Sequence, residues 1–231
     1  MQIHQDITIV DLALRYKDNL ILGDLQLGYE DYLNRQGVFI PRFQTQDTLQ
    51  RIRAILEQCP DVKTIIFNGD IKHHFGTISP QEWSAVTALI DELIDRYTII
   101  MIKGNHDPLL KPILDNYGTT ITFVDSYDLD DITITHGDKL LADHKKTIII
   151  GHEHPAVSFE EKPGEKYKCF LKGTWKKHTL LVMPSFSTLT VGTDIRQGRF
   201  LSPYLPESLE QFDVYVIEDK PYHFGLLKNI K

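Results

Sequence analysis

Short apolar runs alternate with amphipathic helical patterns through the first half of the chain. Four runs have the length and β-branched composition of strands: residues 7–10, 19–22, 64–67 and 97–102. A helical pattern with apolar residues on one face follows Thr45, which we expect to cap that helix. The segment Ser79-Pro80-Gln81-Glu82 places a cap residue, a proline and a glutamate at the positions that start a helix. Strands that alternate with helices predict a partly parallel sheet covered by helices.

Strand patterns dominate the second half of the chain. We predict seven strands there: residues 127–129, 132–135, 147–150, 157–159, 167–171, 180–183 and 214–217. No linker-like or low-complexity segment interrupts the 231 residues of the sequence. We therefore expect a second sheet that packs against the first within one domain, residues 1–231.

The composition is that of an ordinary globular protein, with 42% hydrophobic and 25% charged residues. The formal net charge of −7 argues against a broad electrostatic grip on nucleic acid and suits carboxylates that gather cations. Cys59 and Cys169 are far apart and lack metal-ligand spacing, so we expect reduced thiols and a cytoplasmic location. The N-terminal residues do not resemble a signal peptide, and no apolar run approaches the length of a membrane span.

Polar side chains directly follow the predicted strands. They are Asp24, Gln26, Asp70, Asn105, His106, His136, His152 and His154. In α/β sheets, ligands collect beyond the carboxyl ends of the strands, so folding should bring these groups to one edge. The segment Gly151-His152-Glu153-His154 is the strongest single pattern, because alternate residues of an extended segment face the same side. Each group alone is compatible with a polar turn, but the complete set indicates a metal site.

The chemical types of these side chains favour certain metals. The set contains no thiolate, which argues against a closed structural zinc site. Carboxylate, amide oxygen and imidazole ligands together suit Mn²⁺, Fe²⁺ or Zn²⁺. Because there are too many ligands for one ion, we expect two ions that share one carboxylate, as in pairs that lie ~3.5–4 Å apart.

In their order along the chain and in their residue types, these motifs resemble those of the calcineurin-like metallophosphoesterases. The matching segments are Asp24-Leu25-Gln26, Gly69-Asp70, Gly104-Asn105-His106-Asp107, His136 and Gly151-His152-Glu153-His154. Further segments, such as Pro184-Ser185-Phe186, are similar to an archaeal-type branch of predicted phosphoesterases, akin to those linked to DNA ligase or helicase genes. The resemblance implies an α/β fold, a four-layer αββα sandwich in which two mixed β-sheets pack face to face and are flanked by helices.

The resemblance also implies a role for each motif residue. Two metal sites would share Asp70 as a bridging ligand. The first would use Asp24, Gln26, Asp70 and His154, and the second would use Asp70, Asn105, His136 and His152. His106 would protonate the leaving group, and Asp107 would help to orient His106. His73 has two open interpretations, a contact to the substrate phosphate and an ordinary surface histidine.

Gln26 departs from the family pattern, which usually has histidine at this position. A glutamine oxygen is a neutral and weaker ligand than an imidazole. Three alternatives stay open: Gln26 binds the metal directly, binds it through water, or leaves the first metal loosely held. We therefore expect the first site to be weaker than the second and to favour Mn²⁺ or Mg²⁺ over Zn²⁺.

Together these features predict a dinuclear-metal-dependent phosphoesterase that hydrolyses phosphodiester bonds by in-line attack of metal-activated hydroxide. Two divalent ions, most simply Mn²⁺, would be its cofactors. A nuclease that acts on DNA or RNA is one form of this activity, and the resemblance alone implies a helicase or ligase partner. The alternatives are a phosphomonoesterase or nucleotide phosphodiesterase, and a catalytically weakened scaffold of the same fold. The lysine-rich residues 162–177 predict a solvated hairpin or a local contact to a phosphate backbone.

Overall fold

Two β-sheets frame the molecule, which we describe from a computed structural model over residues 1–230. The first sheet has seven strands: β1 (Gln2–His4), β2 (Ile7–Val10), β3 (Ala13–Tyr16), β4 (Asn19–Leu22), β5 (Thr64–Asn68), β6 (Thr98–Ile102) and β7 (Ile121–Val124). Their order in the sheet is their order in the chain. Strands β1 to β4 pair antiparallel, whereas β4 to β7 pair parallel. The parallel half places the carboxyl ends of β4, β5 and β6 side by side.

The four strands predicted in the first half correspond to β2, β4, β5 and β6. Strands β1, β3 and β7 were not predicted. Two-residue turns join β2 to β3 and β3 to β4, and Asp11 (φ 55°) and Lys17 (φ 54°) adopt left-handed backbone in them. Strands β1 and β3 contain polar or charged residues and lack the run of β-branched or aliphatic residues by which β2 and β4 were recognised.

Four α-helices occur among the described residues: α1 (Tyr29–Arg35), α2 (Gln44–Gln58), α3 (Pro80–Leu93) and α4 (Lys111–Leu114). Helix α2 buries Ile52 and Ile55, and α3 buries Leu89 and Ile90. These side chains share one core cluster with Ile65 and the other buried residues of the first sheet. Because each such side chain contributes ~1.5–3 kcal/mol on burial, the helices are held against the sheet mainly by this apolar contact.

Helices α2 and α3 are capped in different ways. The expectation that Thr45 caps α2 is wrong, because the helix begins at Gln44 and the buried Glu30 carboxylate accepts the Gln44 N–H (2.5 Å). This cap comes from α1, so the local sequence of α2 carries no sign of it. The capping box at α3 is confirmed: Ser79 Oγ accepts the Glu82 N–H (3.1 Å), and the Glu82 carboxylate accepts the Ser79 N–H (2.7 Å).

The second sheet has nine strands: β8 (Ser126–Leu129), β9 (Ile132–Thr135), β10 (Thr147–Ile150), β11 (Pro155–Phe159), β12 (Lys162–Trp175), β13 (His178–Val182), β14 (Thr193–Asp194), β15 (Asp213–Ile217) and β16 (Pro221–Leu226). Seven of them lie in the order β14-β11-β12-β13-β10-β9-β8, and β15 pairs with β12 and β16. Strand β10 runs parallel to β9 and β13, whereas β12 is antiparallel to β11, β13 and β15. All seven strands predicted in this half are present, but β12 extends well beyond the predicted residues 167–171, and β14 and β16 were not predicted.

The lysine-rich residues 162–177 form β12 and the turn that follows it, between β11 and β13. Four lysines of this segment are exposed: Lys162, Lys166, Lys176 and Lys177. Lys168 is only partly exposed, and its Nζ donates a hydrogen bond to the Ser185 carbonyl oxygen (2.6 Å). The segment is therefore one long strand paired on both sides and not a hairpin of its own, and one of its lysines fastens a neighbouring loop.

Side chains of the second sheet alternate between two cores. Ile149 and Leu181 lie in the core cluster that also contains the first sheet. Their neighbours Ile148, Ile150 and Leu180 lie in a second cluster, which residues 195–212 complete. The two mixed sheets therefore pack face to face as predicted. Helices cover the outer face of the first sheet, and an irregular segment with one short 3₁₀ helix covers the outer face of the second.

No helix among residues 1–230 combines the length and the apolarity needed to cross a bilayer.

Candidate metal centre

Five strands from the two sheets deliver the predicted site residues. Asp24 follows β4, Asp70 follows β5, Asn105 and His106 follow β6, His136 follows β9, and His152 and His154 follow β10. Backbone hydrogen bonds join the loops in which these residues lie. The Asp24 N–H donates to the Gly69 carbonyl (3.1 Å), and the Gly151 N–H donates to the His136 carbonyl (2.9 Å). These bonds tie together the loops of each sheet, and the His152 N–H, which donates to Asp24 Oδ2 (3.1 Å), joins the loops of the two sheets into one rim.

Two groups of side chains on this rim can each hold a metal ion. The first ligand group is Asp24, Asp70 and His154, and the second ligand group is Asp70, His136 and His152. Within each group the ligand atoms lie within 4.8 Å of one another. Asp70 belongs to both groups, which is the arrangement that two ions bridged by one carboxylate require.

The second ligand group surrounds His136, which is fully buried. His136 Nε2 lies 3.4 Å from Asp70 Oδ1 and 3.2 Å from His152 Nδ1. The Asn105 amide oxygen lies 3.0 Å from the same nitrogen, so it adds a fourth donor atom beside the group. On the other side of the ring, Nδ1 lies 3.3 Å from the Asn68 carbonyl oxygen, which holds the imidazole in this orientation.

The first ligand group contains a buried nitrogen without a hydrogen bond. His154 Nε2 lies 2.9 Å from Asp24 Oδ1, but it makes no hydrogen bond to any part of the chain that the structure describes. A buried polar atom in this state carries a desolvation cost of about 1–3 kcal/mol. A cation between His154 and Asp24 would remove that cost, so the residues present fit a metal ion.

Gln26 points its two amide ends at different partners. Its Nε2 donates to Asp70 Oδ2 (3.0 Å), and its Oε1 lies 2.7 Å from His73 Nδ1. In this orientation the amide nitrogen faces the candidate bridging carboxylate, and the oxygen faces away toward His73. Gln26 therefore positions Asp70 by a hydrogen bond and links it to His73.

Five of the candidate ligands adopt the left-handed backbone region. They are Asp24 (φ 57°), Gln26 (φ 52°), Asp70 (φ 48°), His152 (φ 64°) and His154 (φ 49°). The expectation that His152 and His154 lie in an extended segment is therefore wrong. The two imidazoles reach different ligand groups because each follows a sharp turn of the chain. Such conformations cost ~1–3 kcal/mol each and concentrate at functional sites.

The glycines of the motifs leave room for ligands from neighbouring loops. A Cβ atom at Gly104 would overlap Asp70 Oδ1 and the Asp70 amide nitrogen, and a Cβ at Gly151 would overlap Asp24 Oδ2. A Cβ at Gly69 would overlap the His136 ring, and Gly69 also has a positive φ of 78°. Each motif glycine thus lets a ligand carboxylate or imidazole lie directly against the backbone.

His106 stands beside the shared carboxylate. Its Nε2 lies 3.6 Å from Asp70 Oδ2, and its backbone N–H donates to Asp70 Oδ1 (2.9 Å). On the far side of the ring, Nδ1 contacts the His73 carbonyl oxygen, so Nδ1 carries the proton of that hydrogen bond. Nε2 is thereby turned toward the rim.

Within residues 1–230, the Asp107 side chain contacts backbone N–H groups and does not contact the His106 ring. It is fully buried, and its carboxylate accepts the Gly104 N–H (3.0 Å) and the Ile71 N–H (3.0 Å). Burial, together with the nearby Asp70 charge, raises the pKa of Asp107 to about 7. The carboxyl group fastens the loop after β6 to the loop after β5, and it positions His106 only through the backbone.

The protonation states of the buried groups at the rim depend on each other. Burial disfavours the charged form of His136, but the hydrogen bond and charge of Asp70 outweigh it and raise the pKa of His136 to about 10. Burial likewise disfavours the ionised form of Asp70, yet His136 and His106 together lower the pKa of Asp70 to about 2. The rim therefore keeps its carboxylate ionised and favours positive charge beside it.

Three aromatic residues near His73 and His106 were missed in the sequence. The His73 ring centre lies 4.2 Å from that of Tyr29 and 4.9 Å from that of Tyr32, and the Phe75 ring centre lies 3.6 Å from that of His106. Burial lowers the pKa of His73 to about 4. The spacing of Tyr29 and Tyr32, which are three residues apart and lie on α1, was the available signal, since this spacing places both rings on one face of a helix.

A buried lysine is a further residue that the pattern of polar strand ends did not reveal. Lys72 is fully buried, and its Nζ contacts the His74 carbonyl oxygen. Burial lowers its pKa, and the surrounding Glu82 and Asp107 charges oppose that shift. The Glu82 carboxylate also accepts the His74 N–H (2.7 Å), so the start of α3 fastens the turn that carries His73 and Phe75.

Comparisons with known proteins agree with this geometry. The model of the calcineurin-like phosphoesterase family matches residues 20–177, more than half of the chain and all of the candidate ligands. The fold is similar to that of nuclease MPE from Pseudomonas putida, with 19% identity, 92% of each chain covered and a TM-score of 0.64. It has a weaker similarity to YfcE, a phosphoesterase from E. coli, with 13% identity, 87% of this chain and 88% of that chain covered, and a TM-score of 0.42. The comparison with curated protein sequences found no match.

The family match spans the ordered motifs, and the folded chain gathers those same motifs around a shared carboxylate. The chain belongs to the calcineurin-like phosphoesterase family and is a metal-dependent phosphoesterase.

Proposed function

We propose that this protein hydrolyses phosphodiester bonds at a dinuclear metal centre and that nucleic acid, DNA or RNA, is its substrate class. The observation that carries the proposal is the position of Asp70, which belongs to both ligand groups and lies beside His106. The solved structure of similar fold that is named a nuclease supports the substrate class. The exposed lysines of residues 162–177 supply positive charge within an otherwise acidic chain.

We assign the first metal to Asp24, Asp70 and His154, and the second to Asp70, Asn105, His136 and His152. When bound, two such ions lower the pKa of a water molecule and neutralise the phosphoryl oxygens. Because Gln26 turns its amide nitrogen toward Asp70, the first site has one direct ligand fewer than the usual family pattern. We propose that the first site is the weaker one and that oxygen-rich coordination there favours Mn²⁺.

His106 is the general acid in this proposal. The His73 carbonyl fixes the proton on His106 Nδ1 and aims Nε2 at the rim. General acid catalysis needs a second proton on Nε2, so the imidazolium form of His106, which the charge of the nearby Asp70 carboxylate favours, is the form that gives a proton to the oxygen of the departing alcohol. Asp107 serves as a positioning residue, because it holds the loop that carries His106 through backbone N–H groups.

An activity panel with Mn²⁺ tests the proposal: an aryl phosphodiester, the matching monoester, single- and double-stranded DNA, and RNA. We expect the diester and at least one nucleic acid to be cleaved faster than the monoester. Faster cleavage of the monoester would instead make the protein a phosphomonoesterase. A steep fall in nucleic-acid cleavage with added salt would support a contact to the lysine-rich residues 162–177.

The variant His106→Ala tests the assigned role of this residue. We expect turnover of the diester to fall by about 10²–10⁴-fold, because the leaving alkoxide is no longer protonated. Metal content should stay at the wild-type value, since the ring lies outside both ligand groups. His223→Ala, at an exposed histidine on β16, is the matched control and should change neither quantity. Loss of metal or full retention of turnover in His106→Ala would contradict the role.

Three wider statements belong to the same proposal. Residues 1–231 form one catalytic domain, because the main core cluster contains residues of both sheets. The two cysteines, which are free and buried, are consistent with a cytoplasmic location. A helicase or ligase partner follows from the motif resemblance alone, and co-purification with tagged protein is the direct test.

A further inference from the structure

A pocket with aromatic walls opens directly beside His106. Five residues line it: Tyr29, Tyr32, His73, His74 and Phe75. Its volume is about 340 Å³, within the range of small-ligand sites. Tyr29 and Tyr32 stack with ring centres 5.9 Å apart and planes 18° from parallel. We call this cavity the aromatic pocket.

The rings of the aromatic pocket are more exposed than core packing requires. Tyr32 is 39% exposed and Phe75 is 57% exposed. A single exposed aromatic side chain needs no explanation, but several around one cavity mark a binding surface. The turn that carries Phe75 is also fastened, through the Glu82 carboxylate that accepts the His74 N–H. The exposed ring is therefore held in place beside the rim.

The position of the aromatic pocket relates it to the leaving group. Phe75 packs on the His106 ring, and the His73 ring centre lies 5.5 Å from that of His106. In hydrolysis by in-line attack, the departing alcohol leaves on the side where the general acid stands. Whatever the departing alcohol carries is then next to the aromatic pocket.

We propose that the aromatic pocket binds a nucleobase carried by the leaving group of the substrate, through stacking on Tyr32 and Phe75. This inference rests on the proposed phosphodiesterase activity and names the side of the scissile bond that is recognised. Aromatic side chains can stack on any base, because every base presents a π-face. The pocket therefore selects for the presence of a base and not for its identity.

A pair of dinucleotide substrates tests this inference. They share the same phosphodiester and differ only on the leaving-group side, where one carries a base and the other is abasic. We expect the wild-type enzyme with Mn²⁺ to cleave the base-bearing substrate about fivefold or more faster in kcat/KM. In Tyr32→Ala and Phe75→Leu this ratio should move toward one, whereas Tyr32→Phe should keep it, because the ring and not the hydroxyl stacks.

Tyr222→Ala is the matched control, since Tyr222 is 37% exposed and lies on β16. It should keep the wild-type ratio. An equal rate on both substrates in the wild-type enzyme, or a ratio unaffected by Tyr32→Ala and Phe75→Leu, would overturn the inference.

A binding measurement separates this inference from the proposed activity. The fluorescence of a dinucleotide with 2-aminopurine on the leaving-group side should fall when the Mn²⁺-loaded protein is added. The fall should be smaller with the Tyr32→Ala variant. Quenching that depends on Tyr32 without cleavage would overturn the proposed activity and support the pocket. Cleavage without such quenching would support the activity and overturn the pocket.

Discussion

At the scale of single residues, Asp70 makes several contacts with other residues of the candidate metal centre. Its carboxylate accepts the His106 N–H and the Gln26 side-chain amide, and it lies 3.4 Å from His136 Nε2. These neighbours fix the position of both oxygen atoms, so one oxygen can serve each ligand group. A substitution at Asp70 therefore acts on both groups at once.

We predict that Asp70→Asn loses metal from both sites, because an amide supplies one weak oxygen in place of a bridging carboxylate. His154→Ala should lose metal chiefly from the first site, since His154 belongs to one ligand group only. Metal content after equilibration with Mn²⁺, measured by mass spectrometry, checks both variants. Retention of the full metal content by Asp70→Asn would exclude the shared-ligand arrangement.

The Asp107 carboxylate acts by binding backbone N–H groups, so replacing it should lower the stability of the fold. Asp107→Ala leaves the buried N–H groups of Gly104 and Ile71 without an acceptor. At about 1–3 kcal/mol for each of the two unsatisfied groups, the free energy of unfolding should fall by roughly 2–6 kcal/mol. Denaturant unfolding measures this loss. Asp115→Ala, at an exposed aspartate, should stay within about 0.5 kcal/mol of wild type.

At the scale of elements, the loops after β4, β5, β6 and β10 are packed against one another through glycines. The Gly104 backbone touches Asp70, and the Gly151 backbone touches Asp24. The motif glycines therefore set the distance between loops, which determines where the ligands of both groups stand. This explains why glycine precedes the ligand in these segments even though Gly104 and Gly151 do not require a positive φ.

We predict that Gly104→Ala lowers metal affinity and activity by at least about tenfold, because the added methyl group overlaps the Asp70 carboxylate. Either the loop after β6 or the carboxylate must move, and both belong to the site. Gly76→Ala is the control, since a Cβ there meets its nearest neighbour, His74, at an ordinary 3.7 Å. Titration calorimetry with Mn²⁺ compares the two variants, and equal affinities would refute the argument.

At the scale of the whole molecule, the candidate metal centre bridges the two sheets. Asp24 and Asp70 come from the first sheet, whereas His136, His152 and His154 come from the second. Ions held between them would link the sheets only in the folded state. Metal binding should therefore add to the free energy of unfolding.

We predict that removing metal with a chelator lowers the Tm and that Mn²⁺ restores it. At a free Mn²⁺ concentration about 100 times the Kd, one site adds about 2.7 kcal/mol, which corresponds to about 5–10 °C for a chain of this size. Differential scanning calorimetry measures the shift. Asp70→Asn should show almost no response to Mn²⁺, and an equal response in that variant would indicate binding elsewhere.

The sequence by itself determined the strands that lead into the site, the pairing of two sheets and the order of the motifs. These features are local or repetitive: an apolar run of strand length, a capping box at Ser79, and polar residues directly after each run. They can be recognised from neighbours in the chain, because hydrophobic periodicity and turn chemistry act over a few residues.

Only the tertiary structure decided the left-handed backbone of the ligands, the cap that Glu30 gives to α2, the orientation of Gln26 and the aromatic pocket beside His106. Each depends on partners that are remote in the chain, such as Gln26 and Asp70, which are 44 residues apart. The cost of a strained φ or a buried carboxylate is offset only when these partners arrive. A local pattern cannot report energies that arise from contacts made after folding.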